Sequence, residues 1–185
     1  MELLLKIALA LLPVVLLLLY IWKKDQQPEP TSWLMKALVW GGIICIPVAI
    51  VEVILSDVII GGENPTTILQ CVEDAFLCAA LPEEGFKLIA LWIILRKNPY
   101  FDEHFDGIVY AVFIGLGFAA LENVGYVISA EESWKEVVFM RAFLSVPGHY
   151  AYAIFMGYYY SVYHFVNKSP MTAVRILLVP VIGAA

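Results

Sequence analysis

Five stretches of this chain stay apolar over the roughly 20 residues that a membrane-crossing helix needs, and a sixth does so over part of that length. They fall at about 3–22, 34–55, 67–95, 106–129, 147–166 and 171–185. In hydrocarbon every backbone polar group must be paired internally, so only helices and closed barrels can span. These runs are too long and too unalternating for barrel strands. The sequence therefore predicts an all-α membrane protein, a polytopic bundle of about six transmembrane helices with the last one incomplete. Links are short, and no repeat, low-complexity tract or linker interrupts them, so residues 1–185 read as a single transmembrane helical domain. Composition agrees: 62% of residues are hydrophobic and only 15% charged, where a soluble domain carries about a quarter charged residues. The apolar bias excludes disorder, and the net charge of -6 argues against nucleic acid as a partner. The lipid bilayer is the first partner implied.

The first stretch differs from a signal peptide. It is long, it places Glu2 before Lys6, and no small-residue cleavage site follows. It is read as a span, bent at Pro13.

Orientation follows from lysine and arginine in short loops. Lys23 and Lys24 sit in the first loop, Arg96 and Lys97 in the third, Lys168 in the fifth with Arg175 after it. The second loop, 56–66, has none, and the fourth, 130–141, is mixed. The N-terminus is therefore expected outside, in a multi-pass protein of the prokaryotic plasma membrane.

Charge inside a span costs about 2.5–3.5 kcal/mol per residue on insertion scales, so such residues are functional suspects. The third span holds Glu73, Asp74, Glu83, Glu84 and Lys87; the fourth holds Asp106 and Glu122; the second holds Glu52, and the fifth His149. Lys87 lies one turn from both Glu83 and Glu84. Pairing with one of them would leave the other as a poised carboxylate, suited to general-base activation of water. The bland alternative is a buried ion pair that ties helices together. At 1.5 Å per residue from the inner ends, Glu84 lies about 18 Å deep, Glu122 about 24 Å and His149 about 25 Å. These can converge in the outer half of the membrane. Asp106 falls near the inner surface and reads as an inter-helix tie or cap.

The glycines of the fourth span (Gly107, Gly115, Gly117, Gly125) predict close helix packing. Tyr158, Tyr159, Tyr160 and Tyr163 read as an interfacial belt, and His104 and His164 as loop or interface residues. Cys45, Cys71 and Cys78 read as small buried residues.

At this point the residues resemble a known family. Glu83-Glu84-Gly85-Phe86-Lys87 resembles the Glu-Glu-x-x-Lys motif of PrsW-type intramembrane proteases. The stretch from Phe101 to Tyr110 is similar to that family's entry into its next span, and Gly117 to Asn123 to its Phe-x-x-x-Glu-Asn motif. Arg141, Pro147-Gly148-His149 and Gly157 resemble its next segment, and Pro28-Glu29-Pro30 also fits. The resemblance runs through the whole chain in order. It implies an intramembrane endopeptidase that cuts a single-pass membrane protein, an anti-sigma factor in the best-known role, near the outer face. The family is related to the CAAX-processing and bacteriocin-protection proteases and has been classed both as metallo- and as glutamic-type.

Carried over residue by residue, the resemblance implies Glu83 and Glu84 as the acid/base pair. Glu122 would orient the water or bind a metal, and His149 would stabilise charge or bind a metal. Asn123 would donate to the oxyanion, with Lys87, Asp106 and Arg141 in support. Zinc is the candidate cofactor, with Glu84, Glu122 and His149 as candidate ligands. A metal-free, carboxylate-activated water fits the same residues. Two alternatives stand beside this: a CAAX- or bacteriocin-type endopeptidase, and a non-catalytic scaffold with structural ion pairs. One departure from the family bears on activity. Its members continue past the last proline with a His-Gly-x-Tyr-Asp type segment, and that histidine would fall near Ala184. The expectation is a domain truncated just before the final site motif, or a histidine replaced by alanine, with activity reduced in either case.

Overall fold

The computed structural model describes residues 1–61 and 65–185. Residues 62–64 of the second loop lie outside them. The described residues form helices α1 (Glu2–Lys24), α2 (Thr31–Ile59), α3 (Ile68–Glu73), α4 (Leu81–Leu95), α5 (His104–Ser129), α6 (Trp134–Met140), α7 (Val146–Phe165) and α8 (Pro170–Ala184). No strand occurs among the described residues. By length and composition α1, α2 and α5 are each apolar enough to cross a membrane.

Two further passes are interrupted by wider turns. α3 runs into α4 through a π-helical stretch, Asp74–Ala80, and α6 runs into α7 through another, Arg141–Ser145. The cause is local. Pro82 and Pro147 each lack an N–H, and their rings crowd the carbonyl four residues back, on Cys78 and Phe143. Both carbonyls lie inside the π-helical stretches, where the extra residue relieves the clash. Each stretch re-aims the turn that follows it, and those turns carry Glu83-Glu84 and His149.

The helix ends obey ordinary capping. Thr67 accepts from the Gln70 amide in a capping box that starts α3. Glu103 and Asp106 form another at the start of α5. In α1, Glu2 opens the helix and Lys23 and Lys24 close it, as the helix dipole favours.

α5 is the axis of the bundle and packs against α1, α2, α4 and α7. In its apolar window 72% of residues are buried, against 17% in α1 and α2, which keep wide faces for lipid. Contact with α2 is so close that a Cβ on Gly41 would collide with the Ile114 backbone, and one on Gly117 with that of Leu38. Such approaches suit a bundle with no hydrophobic drive between helices. Gly125 meets open space and takes no part.

Two expectations are corrected here. The segment 130–141 is not a loop: a 3-10 turn, Glu131–Ser133, leads straight into helix at Trp134. Trp134 packs with Ala10 and Val127, which buries its ring and holds the helix end down. The fifth pass therefore begins at Trp134. Cys71 is exposed rather than buried, since α3 is a short outer turn with no buried residue; Cys78 is buried and Cys45 partly so.

Candidate functional site

Three passes deliver charge to one place. Glu83, Glu84 and Lys87 come from the first turns of α4, Glu122 from the outer part of α5, and His149 from the first turn of α7. Arg141 comes from the π-helical stretch before α7.

Lys87 is the centre. Its ammonium lies 2.7 Å from Glu84 Oε1, 3.0 Å from Glu83 Oε2 and 3.0 Å from His149 Nδ1. An ammonium has three donors and no acceptor, so all three are used and His149 Nδ1 must accept. The imidazole proton then sits on Nε2, which donates to Glu122 Oε2 at 3.0 Å. Arg141 Nη2 donates to the same Glu122 oxygen at 2.5 Å. Phe118 closes the floor: its ring lies 4.3 Å from Lys87 Nζ and edge-on to His149. Burial of this kind is tolerated only for paired charges. Two cations against three carboxylates, with one imidazole between them, is such a pairing.

The two neighbouring glutamates are not equivalent. Glu84 is fully buried, and its Oε2 has no hydrogen-bond partner. Glu83 faces a cavity of about 180 Å³ together with Glu122, His149, Ser145, Tyr152 and Ala184. Lys87 binds both, so the pairing does not leave one carboxylate alone, as the sequence suggested. Ser145 and Tyr152 escape the sequence reading. Tyr152 stands one turn after His149 and that spacing could have found it; Ser145 owes its position to the π-helical stretch. Ala184, where the resemblance puts a histidine, lies on the same wall.

Two sequence expectations change. Asn123 does not present its amide to the cavity: Nδ2 donates to the Ala10 carbonyl of α1, and Oδ1 accepts from Arg141 Nε at 2.5 Å. One of its two N–H donors is thus used on α1, and Asn123 is not among the residues that line the cavity. The candidate metal ligands also shift. Glu83, Glu84 and His149 can each offer a ligand atom, all within 4.8 Å of one another. Glu122 also lines the cavity but engages the other ring nitrogen of His149, Nε2, and is held by Arg141. Two carboxylate oxygens and one imidazole nitrogen form a donor set suited to zinc. The unpartnered Glu84 Oε2 and the carboxylate behind the histidine fit that use. Lys87 is the cation that now holds these same three groups. Glu52 of α2, an intramembrane charge without an assigned role, lies near enough to Glu83 and Glu122 to feel their charge. Glu73 and Asp74 sit a turn or more before the cluster and outside it.

Asp106 belongs to a second polar group, at the inner end. Its Oδ2 accepts from the Asp102 and Glu103 amides, at 3.0 and 2.8 Å, and caps α5. Its Oδ1, fully buried, has no partner. Nearby, Tyr110 Oη donates to Glu29 in the loop between α1 and α2, and Asp25 accepts from the Gln27 and Glu29 amides. Burial, first, pushes the Glu29 carboxyl up to about 7; the Asp106, Asp25 and Asp102 charges add to this and the Tyr110 hydrogen bond opposes it.

Residues 29–185 match the family model described as PrsW family intramembrane metalloprotease. The protease PrsW of Clostridioides difficile (strain 630) is 33% identical over 180 residues, covering 94% of this chain and 74% of that protein. That of Oceanobacillus iheyensis is 34% identical over 147 residues, covering 80% of this chain and 64% of its own length. That of Bacillus subtilis (strain 168) is 32% identical over 154 residues, covering 83% and 66%. The chain thus spans just under two thirds of the latter two relatives. No solved structure matches it.

Proposed function

The chain belongs to the PrsW family of intramembrane metalloproteases, and from that premise we propose that it is an endopeptidase cutting a single-pass membrane protein, of the anti-sigma-factor type, near the outer face. One observation carries the reading: carboxylates and an imidazole from three helices meet two cations around one small cavity. That arrangement lies in the outer half of the bundle, on the orientation read from the basic loops.

Glu83 is the carboxylate that faces the cavity, and it takes a proton from water as the oxygen adds to the scissile carbonyl carbon. The same proton then passes to the amide nitrogen as the C–N bond breaks, so Glu83 serves as base and then acid. Glu84, behind it, holds Lys87 in place. Lys87 in turn fixes Glu83 and keeps the His149 proton on Nε2. Negative charge developing on the carbonyl oxygen is offset through space by the Lys87 and Arg141 cations, which their own partners fix near the cavity. Zinc, if held, would be held by Glu83, Glu84 and His149, and when bound it supplies Lewis-acid polarisation of the carbonyl.

Co-expression of the full-length protein with a single-pass substrate that signals across the membrane tests the activity. A cleaved product that depends on the protease is expected. An intact substrate across a panel of such proteins would count against the proposal. Metal analysis of the purified full-length protein tests the cofactor: a fully active, metal-free sample would sink zinc and leave the carboxylate mechanism alone.

A further inference from the structure

Arg96, His164 and Lys168 rim a cavity of about 660 Å³ at the inner end of the bundle, between the ends of α4 and α7 and the start of α8. Its volume is well above the 180 Å³ beside Glu83. The walls are apolar and aromatic, with Trp92, Tyr160 and Tyr163 at the rim and no carboxylate among the lining residues. A second cavity of about 480 Å³ continues it between α4 and α8, sharing Leu88 and Ala173 and ending at Leu81 and Val181. Among the described residues neither Arg96 nor Lys168 has a carboxylate partner; Arg96 lies over the Trp92 ring at 4.3 Å. Four carboxylates at this end are engaged elsewhere, Asp25 on backbone amides, Glu29 on Tyr110, Glu103 with Gln27 and Asp106 on backbone amides.

We propose that this groove binds an anionic phospholipid of the inner leaflet, with the phosphate on Arg96 and Lys168 and one acyl chain along the α4–α8 crevice. Charge complementarity selects the headgroup. A cationic rim with no carboxylate lies at the depth of inner-leaflet phosphates, and basic pockets between spans on this side are built for them. Length selects the chain: from Arg96 to Leu81 α4 rises about 22 Å, more than the half-thickness of about 15 Å that one leaflet's chains fill. Basic residues at inner loops also set topology, but topology needs neither a groove beneath them nor an apolar channel running on from it. This binding does not depend on the protease reading.

Native mass spectrometry of the detergent-purified chain, mixed with phosphatidylglycerol or phosphatidylcholine, tests it. Retention of phosphatidylglycerol over phosphatidylcholine is expected, falling about tenfold or more in an Arg96→Gln/Lys168→Gln variant. A Lys23→Gln/Lys24→Gln variant removes the same charge from α1 and should retain the lipid. Ala173→Phe, which fills the groove without changing charge, should lose it. Equal loss in both charge variants, equal retention of the two lipids, or retention by Ala173→Phe would overturn the site. So would displacement of the lipid by a hydrophobic single-pass peptide while the charge variants bind lipid normally, since that would assign the groove to a polypeptide.

Discussion

The two polar clusters of this bundle solve one problem in opposite ways. In the outer half, buried Glu84 and half-buried Glu83 and Glu122 pack against Lys87 and Arg141, and every contact is between unlike charges or to one imidazole. At the inner end, Asp25, Glu29 and Asp106 are buried with no cation among their partners; backbone amides and a tyrosine hydroxyl serve instead. A carboxylate without a counter-ion holds its proton more tightly, and Glu29 does so. The outer cluster balances its carboxylates with cations, whereas the inner one uses hydrogen bonds without a cation to hold a loop against α5. On the proposed function, the difference separates a reactive site from a structural tie made of the same residue type.

The largest break in this comparison is Lys87→Met. Removing the cation shared by Glu83 and Glu84 leaves a fully buried carboxylate beside a half-buried one with no counter-ion, and thermal unfolding in detergent should show a loss of about 3–5 kcal/mol. A loss below about 1 kcal/mol would mean that the outer cluster does not rest on its cation. Arg141→Met should cost less, about 2 kcal/mol, because Glu122 keeps its His149 contact. The inner cluster should respond to pH instead. Folded Glu29 holds its proton up to about pH 7, whereas the unfolded residue releases it near 4.5. Stability should therefore fall as pH rises through that window and level off above it. Glu29→Gln should remove its share of the slope, measured as unfolding midpoints across pH 5–8; an unchanged slope would contradict the burial argument. The smallest effect expected is Tyr110→Phe, about 1 kcal/mol for the lost hydrogen bond to Glu29.

Much of this was legible in the chain because bilayers penalise exceptions so heavily. Glu83, Glu84, Lys87, Glu122 and His149 stand out in apolar runs without any structure. What the sequence conceals is which partner each takes. Lys87 sits one turn from both glutamates, and spacing cannot show that it binds both and His149 as well. Asn123 follows Glu122 directly, yet the helix turn that aims Glu122 at His149 aims Asn123 at α1. The segment before Trp134 carries enough charge to read as a loop, and only packing on Ala10 and Val127 shows the helix begins there. Pro82 and Pro147 stand at the two wide turns, but a proline alone does not distinguish a kink from a π-helical stretch.

The central claim is that the paired glutamates after Pro82 do chemistry rather than tie helices. Substrate cleavage by full-length Glu83→Gln and Glu84→Gln variants, each assayed alongside its level of folded protein in the membrane, tests it most directly. The account predicts normal insertion in both, with cleavage by Glu83→Gln reduced at least about a hundredfold and a smaller reduction in Glu84→Gln. Undiminished cleavage by a stably inserted Glu83→Gln protein would contradict it.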